Sequence, residues 1–168
     1  MDYGTESAVY FDIEDRAVWK LISLKHYNVL RLALDRIIIH NAIFPASALV
    51  VKGFGRNKDG QFVVIVRQNY IVGTVVTEEE RRAFMTGMGF VETGFDYGMG
   101  FNYNNDEIYI GDLSPLNVIK GETGIHVIDA DCRLNVPSLG CGGKYKIPQY
   151  PNEILSPLFD LNPVPVWL

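Results

Sequence analysis

Short strand-like runs joined by tight polar turns are the feature that most constrains the fold of this chain. Residues 8–13 and 17–24 are rich in β-branched and aromatic side chains, and only the polar triplet "EDR" separates them. Residues 48–56 and 61–71 flank the turn sequence "NKDG" in the same way. Further strand-like stretches lie at residues 107–113, 117–121 and 125–130. Connections this short join neighbouring antiparallel strands, because parallel strands need a longer crossover. The sequence therefore predicts antiparallel hairpins as the basis of the fold.

Two helices are predicted between the hairpins. Apolar residues recur at i, i+3 and i+4 over about residues 27–42, which is the pattern of an amphipathic helix, and Pro45 ends it. The segment from Thr77 to Glu80 is a capping box that opens a second helix. Residues 96–106 are rich in glycine and asparagine and are predicted to form a loop. Strands and helices mixed without strict alternation indicate an α+β fold.

The composition restricts the partners and the compartment of the protein. The 168 residues carry a net charge of −5, and 48% of them are hydrophobic while 21% are charged. This is the composition of a globular protein, and its negative charge gives no general attraction to nucleic acid or to an anionic membrane. Two cysteines without a CxxC motif, a start unlike a signal peptide and the lack of a long apolar run predict a reduced, cytoplasmic protein. The oligomeric state is left open.

Four acids, Asp112, Glu122, Asp129 and Asp131, lie between positions 110 and 131, and apolar residues flank Asp112 and Asp129. Asp112 and Asn117 lie five residues apart, and two short predicted strands then bring the chain back to Asp129. Apolar neighbours predict burial, which costs roughly several kcal/mol for an unpaired carboxylate. Two carboxylates and an amide oxygen are hard ligands that suit Mg²⁺. The alternative is a capped turn, in which Asp and Asn side chains bind nearby main-chain groups.

These three polar residues resemble a known catalytic pattern. "GDLSPLNVI" followed by "VIDAD" is similar to the catalytic loop and metal-binding strand of the protein kinase and aminoglycoside phosphotransferase superfamily, whose loop reads D-x-x-x-x-N. The resemblance implies that Asp112 orients an acceptor hydroxyl or takes its proton. It also implies that Asn117 and Asp129 bind Mg²⁺. Ile110 occupies the position where the superfamily usually has His or Tyr, and this removes a packing contact of the loop.

The upstream half of the chain resembles the ATP-binding half of the same superfamily. "GTESAV" is similar to the second half of a glycine-rich loop, which implies nucleotide contacts from Gly4, Ser7 and Val9. "AVWK" places Lys20 at the position of the lysine that holds the α- and β-phosphates of ATP. The alternative for Lys20 is an edge-strand lysine whose ammonium group lies in water. The first strand of the superfamily is expected to be missing.

The helix and the hinge of the pattern follow, with one departure. The helix predicted over residues 27–42 contains no glutamate that could pair with the lysine, and Asp35 is its only acid. The alternative for Asp35 is a solvated i, i+4 ion pair with Arg31. "VRQNY" lies where the resemblance places the hinge that meets adenine through main-chain groups. The residues implied to make these contacts are Arg67, Gln68 and Asn69.

A closer resemblance covers residues 4–148. "DRIIIHNAIFP", "IGDLSPLNVI" and "RLNVPSLGCGGK", in this order, are similar to the kinase-like domain of large polyvalent proteins of bacterial mobile elements. This resemblance implies a reduced two-lobed fold, with an antiparallel N-lobe sheet and one helix in residues 1–70 and a short C-lobe in residues 71–168. It implies Mg²⁺-dependent transfer of the γ-phosphoryl group of ATP to a hydroxyl of a protein or small molecule. The alternative is a pseudokinase or interaction module of a larger protein, which the missing helix glutamate, the absent first strand and the short second lobe favour.

Overall fold

Every sheet that the structure describes is antiparallel. The computed structural model describes residues 2–3, 7–27, 30–96 and 100–135. These residues form two compact units, which are divided in sequence between Tyr70 and Ile71. Antiparallel sheets together with two α-helices confirm the predicted α+β class. No helix in the described part of the chain is long and apolar enough to cross a membrane.

The unit that ends at Tyr70 is a five-stranded sheet with one α-helix. Its elements are β1 (Asp2–Tyr3), β2 (Ser7–Asp12), β3 (Ala17–Ser23), α1 (Leu30–Ile43), β4 (Leu49–Arg56) and β5 (Phe62–Asn69). The strands lie in the order β1-β2-β3-β5-β4. Both predicted hairpins, β2 with β3 and β4 with β5, are confirmed. The expected loss of the first strand is wrong, because β1 pairs with β2.

The buried side chains of α1 show which parts of the helix surface are covered by the rest of the protein. The buried apolar side chains of α1 are Ala33, Ile37, Ile38 and Ile39. They occupy more of the helix circumference than the predicted stripe, as in helices whose surroundings are mostly protein. The strand β5 lies between two others and contributes the buried Val63, Val64 and Val66. Fully burying a side chain of this kind contributes about 1.5–3 kcal/mol, so these residues hold the unit together.

Polar side chains fasten the C-terminal end of α1 to the sheet. The Nδ2 of Asn41 donates to the main-chain oxygen of Leu49, and the N–H of Leu49 donates to Oδ1 of Asn41, both at 2.8 Å. The main-chain oxygen of Ser47 accepts from Nε2 of Gln68 at 2.6 Å and lies 3.2 Å from Nε2 of His40. Buried polar groups are costly unless they are bonded in this way. The end of α1 is therefore fixed to the beginning of β4 and to β5.

The unit that begins at Ile71 contains two small sheets and one α-helix. Its elements are β6 (Gly73–Val75), α2 (Glu78–Gly87), β7 (Val91–Asp96), β8 (Gly100–Asn104), β9 (Ile108–Leu113), β10 (Val118–Gly121), β11 (Gly124–Val127) and β12 (Asp131–Leu134). One sheet has the order β11-β10-β6 and the other has the order β12-β9-β8-β7. The predicted strands at β9, β10 and β11 are confirmed. The strands β6, β7 and β12 were not predicted.

The predicted loop over residues 96–106 is wrong for Gly100–Asn104, which form β8. Residues 97–99 of this prediction lie outside the described residues. Phe101 and Tyr103 alternate with polar residues, and Tyr103 is completely buried. This alternation has the two-residue period of a strand, although the surrounding glycines and asparagines suggested a loop. The guanidinium of the buried Arg81 lies 3.7 Å from the centre of the Phe101 ring, which ties α2 to this strand. Burial raises the pKa of the Tyr103 hydroxyl.

The N-terminus of α2 has the predicted capping box. The hydroxyl oxygen of Thr77 accepts from the N–H of Glu80 at 3.2 Å, and the Glu80 carboxylate accepts from the N–H of Thr77 at 3.0 Å. Lys120 of β10 donates to the same carboxylate at 2.6 Å. Lys120 and the N–H of Thr77 together hold the pKa of Glu80 below its ordinary value. One acid thus caps α2 and connects it to β10.

We expect Gly73→Ala to destabilise the sheet that contains β6. A Cβ at this position would lie 2.3 Å from the main-chain oxygen of Lys120 and 2.6 Å from Cγ2 of Ile119. Such overpacking costs about 1–3 kcal/mol, which denaturant unfolding would measure. The matched control is Gly87→Ala at the end of α2, where no atom lies within 4 Å of the added carbon. That variant should be as stable as the parent or up to about 1 kcal/mol more stable. Equal stability of the two variants would contradict the close approach of β6 and β10.

Candidate functional site

Asp112 begins a tightly bonded turn at the end of β9. Its φ is +59°, a left-handed conformation that is uncommon for residues other than glycine. The main-chain oxygen of Asp112 accepts from the N–H of Ser114 and from Nδ2 of Asn117, both at 2.8 Å. The N–H of Asn117 donates to the main-chain oxygen of Ser114 at 3.0 Å and closes a short 3₁₀ turn over Pro115–Asn117. These bonds fix Asp112 and Asn117 relative to each other.

The hairpin of β10 and β11 brings the chain back to this turn. Its first pair is Val118 with Val127, and beyond it the N–H of Ile128 donates to the main-chain oxygen of Asn117 at 2.9 Å. Asp129 is the next residue, and β12 then begins opposite Gly111 of β9. The predicted return of the chain is therefore confirmed at the level of the main chain. That Asn117 and Asp129 bind one Mg²⁺ ion together stays a prediction.

The acids of this region differ in exposure and pairing. Asp112 and Asp129 are half-buried, which is less than their apolar neighbours predicted. Asp131 is half-buried too, and it accepts from Nε of Arg133 at 2.9 Å as part of a salt bridge. Glu122 is exposed in the turn between β10 and β11. Asp131 thus forms an ion pair with an arginine. Glu122 needs no ion pair, because an exposed carboxylate is solvated by water.

A metal ion at this turn would have to use an amide oxygen. Within the described ranges, no group of three or more His, Cys, Asp or Glu side chains could hold a metal ion. The predicted ligands are one amide and one carboxylate, with Asp112 as a neighbouring acid. The Nδ2 of Asn117 is already used as a donor to the main chain, so its Oδ1 is the atom left to accept or ligate. This donor set suits a small, hard cation that retains several other oxygen ligands.

Lys20 lies in the middle of β3 and is only 6% exposed. Its main-chain partners are Val9 on β2 and Val66 on β5, so β3 is an interior strand. The alternative of an edge-strand lysine in water is therefore wrong. A buried ammonium group needs polar or charged neighbours, and Lys20 does form polar contacts. The proposed role of this lysine in nucleotide binding stays a prediction.

The described part of the segment predicted to be a glycine-rich loop, residues 7–9, lies in β2. Asp2 pairs with Val9, and Ser7 pairs through its main chain with Ile22 of β3. Ser7 and Val9 therefore belong to a strand, whereas Gly4 lies outside the described residues.

The only acid of α1 is paired with an arginine one turn earlier. Nε of Arg31 lies 3.4 Å from Oδ2 of Asp35, so the predicted i, i+4 pair is confirmed. The expectation that this pair is fully solvated is wrong for Asp35, which is 9% exposed. Its burial follows from its position among the buried isoleucines of α1.

The segment predicted to be a hinge is the last part of β5. Arg67 pairs with Trp19 on one side and with Val50 on the other, and Gln68 is likewise paired on both sides. Asn69 pairs with β3 alone. The strand thus continues through the predicted hinge residues, because each of them fits the ladder between β3 and β4. Their contact with adenine stays a prediction.

The contact between Tyr109 and Gly111 was missed in the sequence. A Cβ on Gly111 would lie 2.7 Å from the hydroxyl oxygen of Tyr109 and 2.9 Å from its Cε1. The tip of the Tyr109 ring therefore covers Gly111, directly before Asp112. Residues i and i+2 of a strand share one face, so a large ring next to a glycine at this spacing was the available signal.

The comparisons with known proteins give one family. Residues 1–136 match the model of the serine/threonine/tyrosine kinases found in polyvalent proteins. No curated protein and no solved structure matches the chain. The match covers both compact units as far as the structure describes them, and it includes the turn at Asp112.

The left-handed conformation of Asp112 predicts an order of stability among its variants. Asp112→Gly and Asp112→Ala both remove the carboxylate, but only alanine has a Cβ that disfavours positive φ. We expect the alanine variant to be about 1 kcal/mol less stable than the glycine variant in denaturant unfolding. Ser114→Ala is the control, since its N–H still donates to Asp112, and its stability should stay close to that of the parent. An alanine variant at position 112 as stable as the glycine variant would contradict the strained conformation.

Proposed function

Because the chain belongs to the family of serine/threonine/tyrosine kinases found in polyvalent proteins, we propose that it transfers the γ-phosphoryl group of ATP to a hydroxyl group with the help of Mg²⁺. The observation that carries this proposal is the left-handed Asp112, whose main-chain oxygen is bonded to the side chain of Asn117. Backbone conformations of this cost are concentrated at functional sites. The acceptor hydroxyl belongs to a protein or a small molecule.

Asn117 and Asp129 are the residues that would hold Mg²⁺. The hydrogen bond from Nδ2 of Asn117 turns the amide so that Oδ1 is available as a hard oxygen ligand. The bond from Ile128 to the main-chain oxygen of Asn117 keeps the neighbouring Asp129 beside it. When bound, the ion would neutralise the negative charge of the phosphates.

Asp112 would act on the acceptor, and Lys20 would act on the nucleotide. The half-buried carboxylate of Asp112 would orient the hydroxyl and accept its proton as the new bond to phosphorus forms. The buried ammonium of Lys20 would attract the α- and β-phosphates more strongly than an exposed one, since less water screens it. Both residues act by position and charge, which is how most phosphoryl transfer is catalysed.

We further propose that the two compact units correspond to an N-lobe and an abbreviated C-lobe. The first unit supplies Lys20 on β3 and the strand β2 with Ser7 and Val9. At the end of β5, Asn69 pairs on one side only, so its main chain is better placed for adenine than that of Arg67 or Gln68. The second unit supplies the turn at Asp112.

A pseudokinase is the second candidate, and one observation favours it. The helix α1 has no glutamate, and its single acid Asp35 is paired with Arg31. In an active kinase, a glutamate of the helix pairs with the strand lysine. Without this glutamate, the lysine would bind the phosphates of ATP less strongly. In that case the chain would be a binding or regulatory module of a larger polyvalent protein.

We expect Mg-ATP to stabilise the chain through Asp129. A ligand present at a thousand times its dissociation constant raises the free energy of unfolding by about 4 kcal/mol. Asp129→Asn should lose most of this gain in a thermal-shift titration, because the carboxylate that faces the ion is neutralised. Glu122→Gln is the matched control in the same hairpin, and its exposed side chain predicts a shift equal to that of the parent. Equal shifts in both variants would contradict the proposed metal site.

We expect Asp112→Asn to lower the turnover of phosphate transfer while the protein stays folded. The amide keeps the shape of the side chain and tolerates positive φ, so the melting temperature should stay within a few degrees of the parent. Turnover should fall by roughly a hundredfold or more, which is the scale of a lost general base. Phosphate transfer to hydroxyl acceptors, water included, is measured beside the melting temperature. Undiminished turnover in the folded variant would refute the role of Asp112, and no turnover in the parent would favour the pseudokinase.

A further inference from the structure

An exposed leucine lies inside the turn that carries the proposed catalytic residues. Leu116 is 77% exposed, and the neighbouring Pro115 is exposed as well. Isolated exposed leucines are common on protein surfaces and need no explanation by themselves. This leucine, however, lies between Asp112 and Asn117, the two residues on which the proposed reaction depends.

The hydrogen bonds of the turn hold Leu116 at the surface. On its C-terminal side, the N–H of Asn117 donates to Ser114 at 3.0 Å, and the main-chain oxygen of Asn117 accepts from Ile128 at 2.9 Å. On its N-terminal side, the ring of Pro115 fixes the backbone. These bonds hold the main chain on both sides of Leu116. Its side chain is therefore presented as an apolar surface in the turn that links Asp112 to Asn117.

We propose that Leu116 is a specificity-determining residue that contacts the acceptor, and that the preferred acceptor carries an apolar group next to its hydroxyl. This inference rests on the proposed function and adds the chemical class of the acceptor. An apolar group would remove surface of Leu116 and Pro115 from water, which is favourable. The four residues between Asp112 and Asn117, "LSPL", contain no charged side chain. Asp112 is the charged residue of this turn, and the proposed function assigns it to the acceptor hydroxyl. A charged group next to that hydroxyl would therefore lose water without gaining a further charged partner among these four residues.

Acceptor peptides that differ only beside one hydroxyl test this inference. Three sets of peptides carry serine, threonine or tyrosine, each flanked by leucine, glutamate or lysine, and kcat/KM is measured with Mg-ATP. For the parent we expect a preference of about tenfold for leucine over either charged residue, which corresponds to partial burial of one leucine side chain. Leu116→Lys should abolish this preference and favour the glutamate peptides, and Leu116→Ser should reduce it without favouring either charge.

The matched control is a lysine at another exposed apolar position of the same unit. Val91 on β7 is 68% exposed, so Val91→Lys adds the same charge away from the turn at Asp112 and should keep the parental preference. Equal kcat/KM for all flanking residues in the parent overturns the inference but not the proposed function. The inference is also overturned if Leu116→Lys leaves the preference for leucine unchanged. It is overturned too if Val91→Lys changes this preference as much as Leu116→Lys does. A parent that hydrolyses or transfers no phosphate at all overturns the proposed function and the inference together.

Discussion

The main-chain oxygen of Asp112 is the acceptor on which the candidate site depends. It receives one hydrogen bond from the N–H of Ser114 and another from the side chain of Asn117. Both bonds require the chain to reverse within a few residues, and the left-handed φ of Asp112 makes this reversal. The reversal in turn presents the main-chain oxygen of Asn117 to Ile128, so the hairpin that follows is attached to the turn. The bond from Asn117 connects this residue directly to Asp112, and the bond from Ile128 connects Asn117 to the residue before Asp129.

The parts of the fold that could be predicted from the sequence are those set by local interactions. The hairpins around "EDR" and "NKDG" and the capping box at Thr77 each depend on residues close together in the chain. The same holds for the candidate site, since Asp112 and Asn117 belong to one turn and the hairpin of β10 and β11 is short. Spacing alone therefore indicated that the chain returns to this turn. The left-handed conformation of Asp112 was not foreseen, because Asp occurs far more often with negative φ.

The features that escaped prediction depend on distant parts of the chain. The strand β6 has three residues, too few to show a period, and it forms only because β10 accepts it as a neighbour. The interior position of β3, which carries Lys20, results from strands on both sides, one of which follows α1 in sequence. Likewise, Arg67 and Gln68 remain in β5 because β4 extends far enough to pair with them. None of these outcomes is encoded within a window of adjacent residues.

The reciprocal bonds between Asn41 and Leu49 have a mechanical consequence for α1. The side-chain amide of Asn41 both donates to and accepts from the main chain of Leu49, so it holds that residue at two points. Asn41 lies in the last turn of the helix. Gln68 and His40 add to the anchoring at the same end through Ser47. The end of α1 and the start of β4 are therefore coupled, so a displacement of either one strains the bonds at Asn41. The N-terminal half of α1 has separate contacts, because Arg36 donates to the hydroxyl of Tyr27 and Arg31 pairs with Asp35.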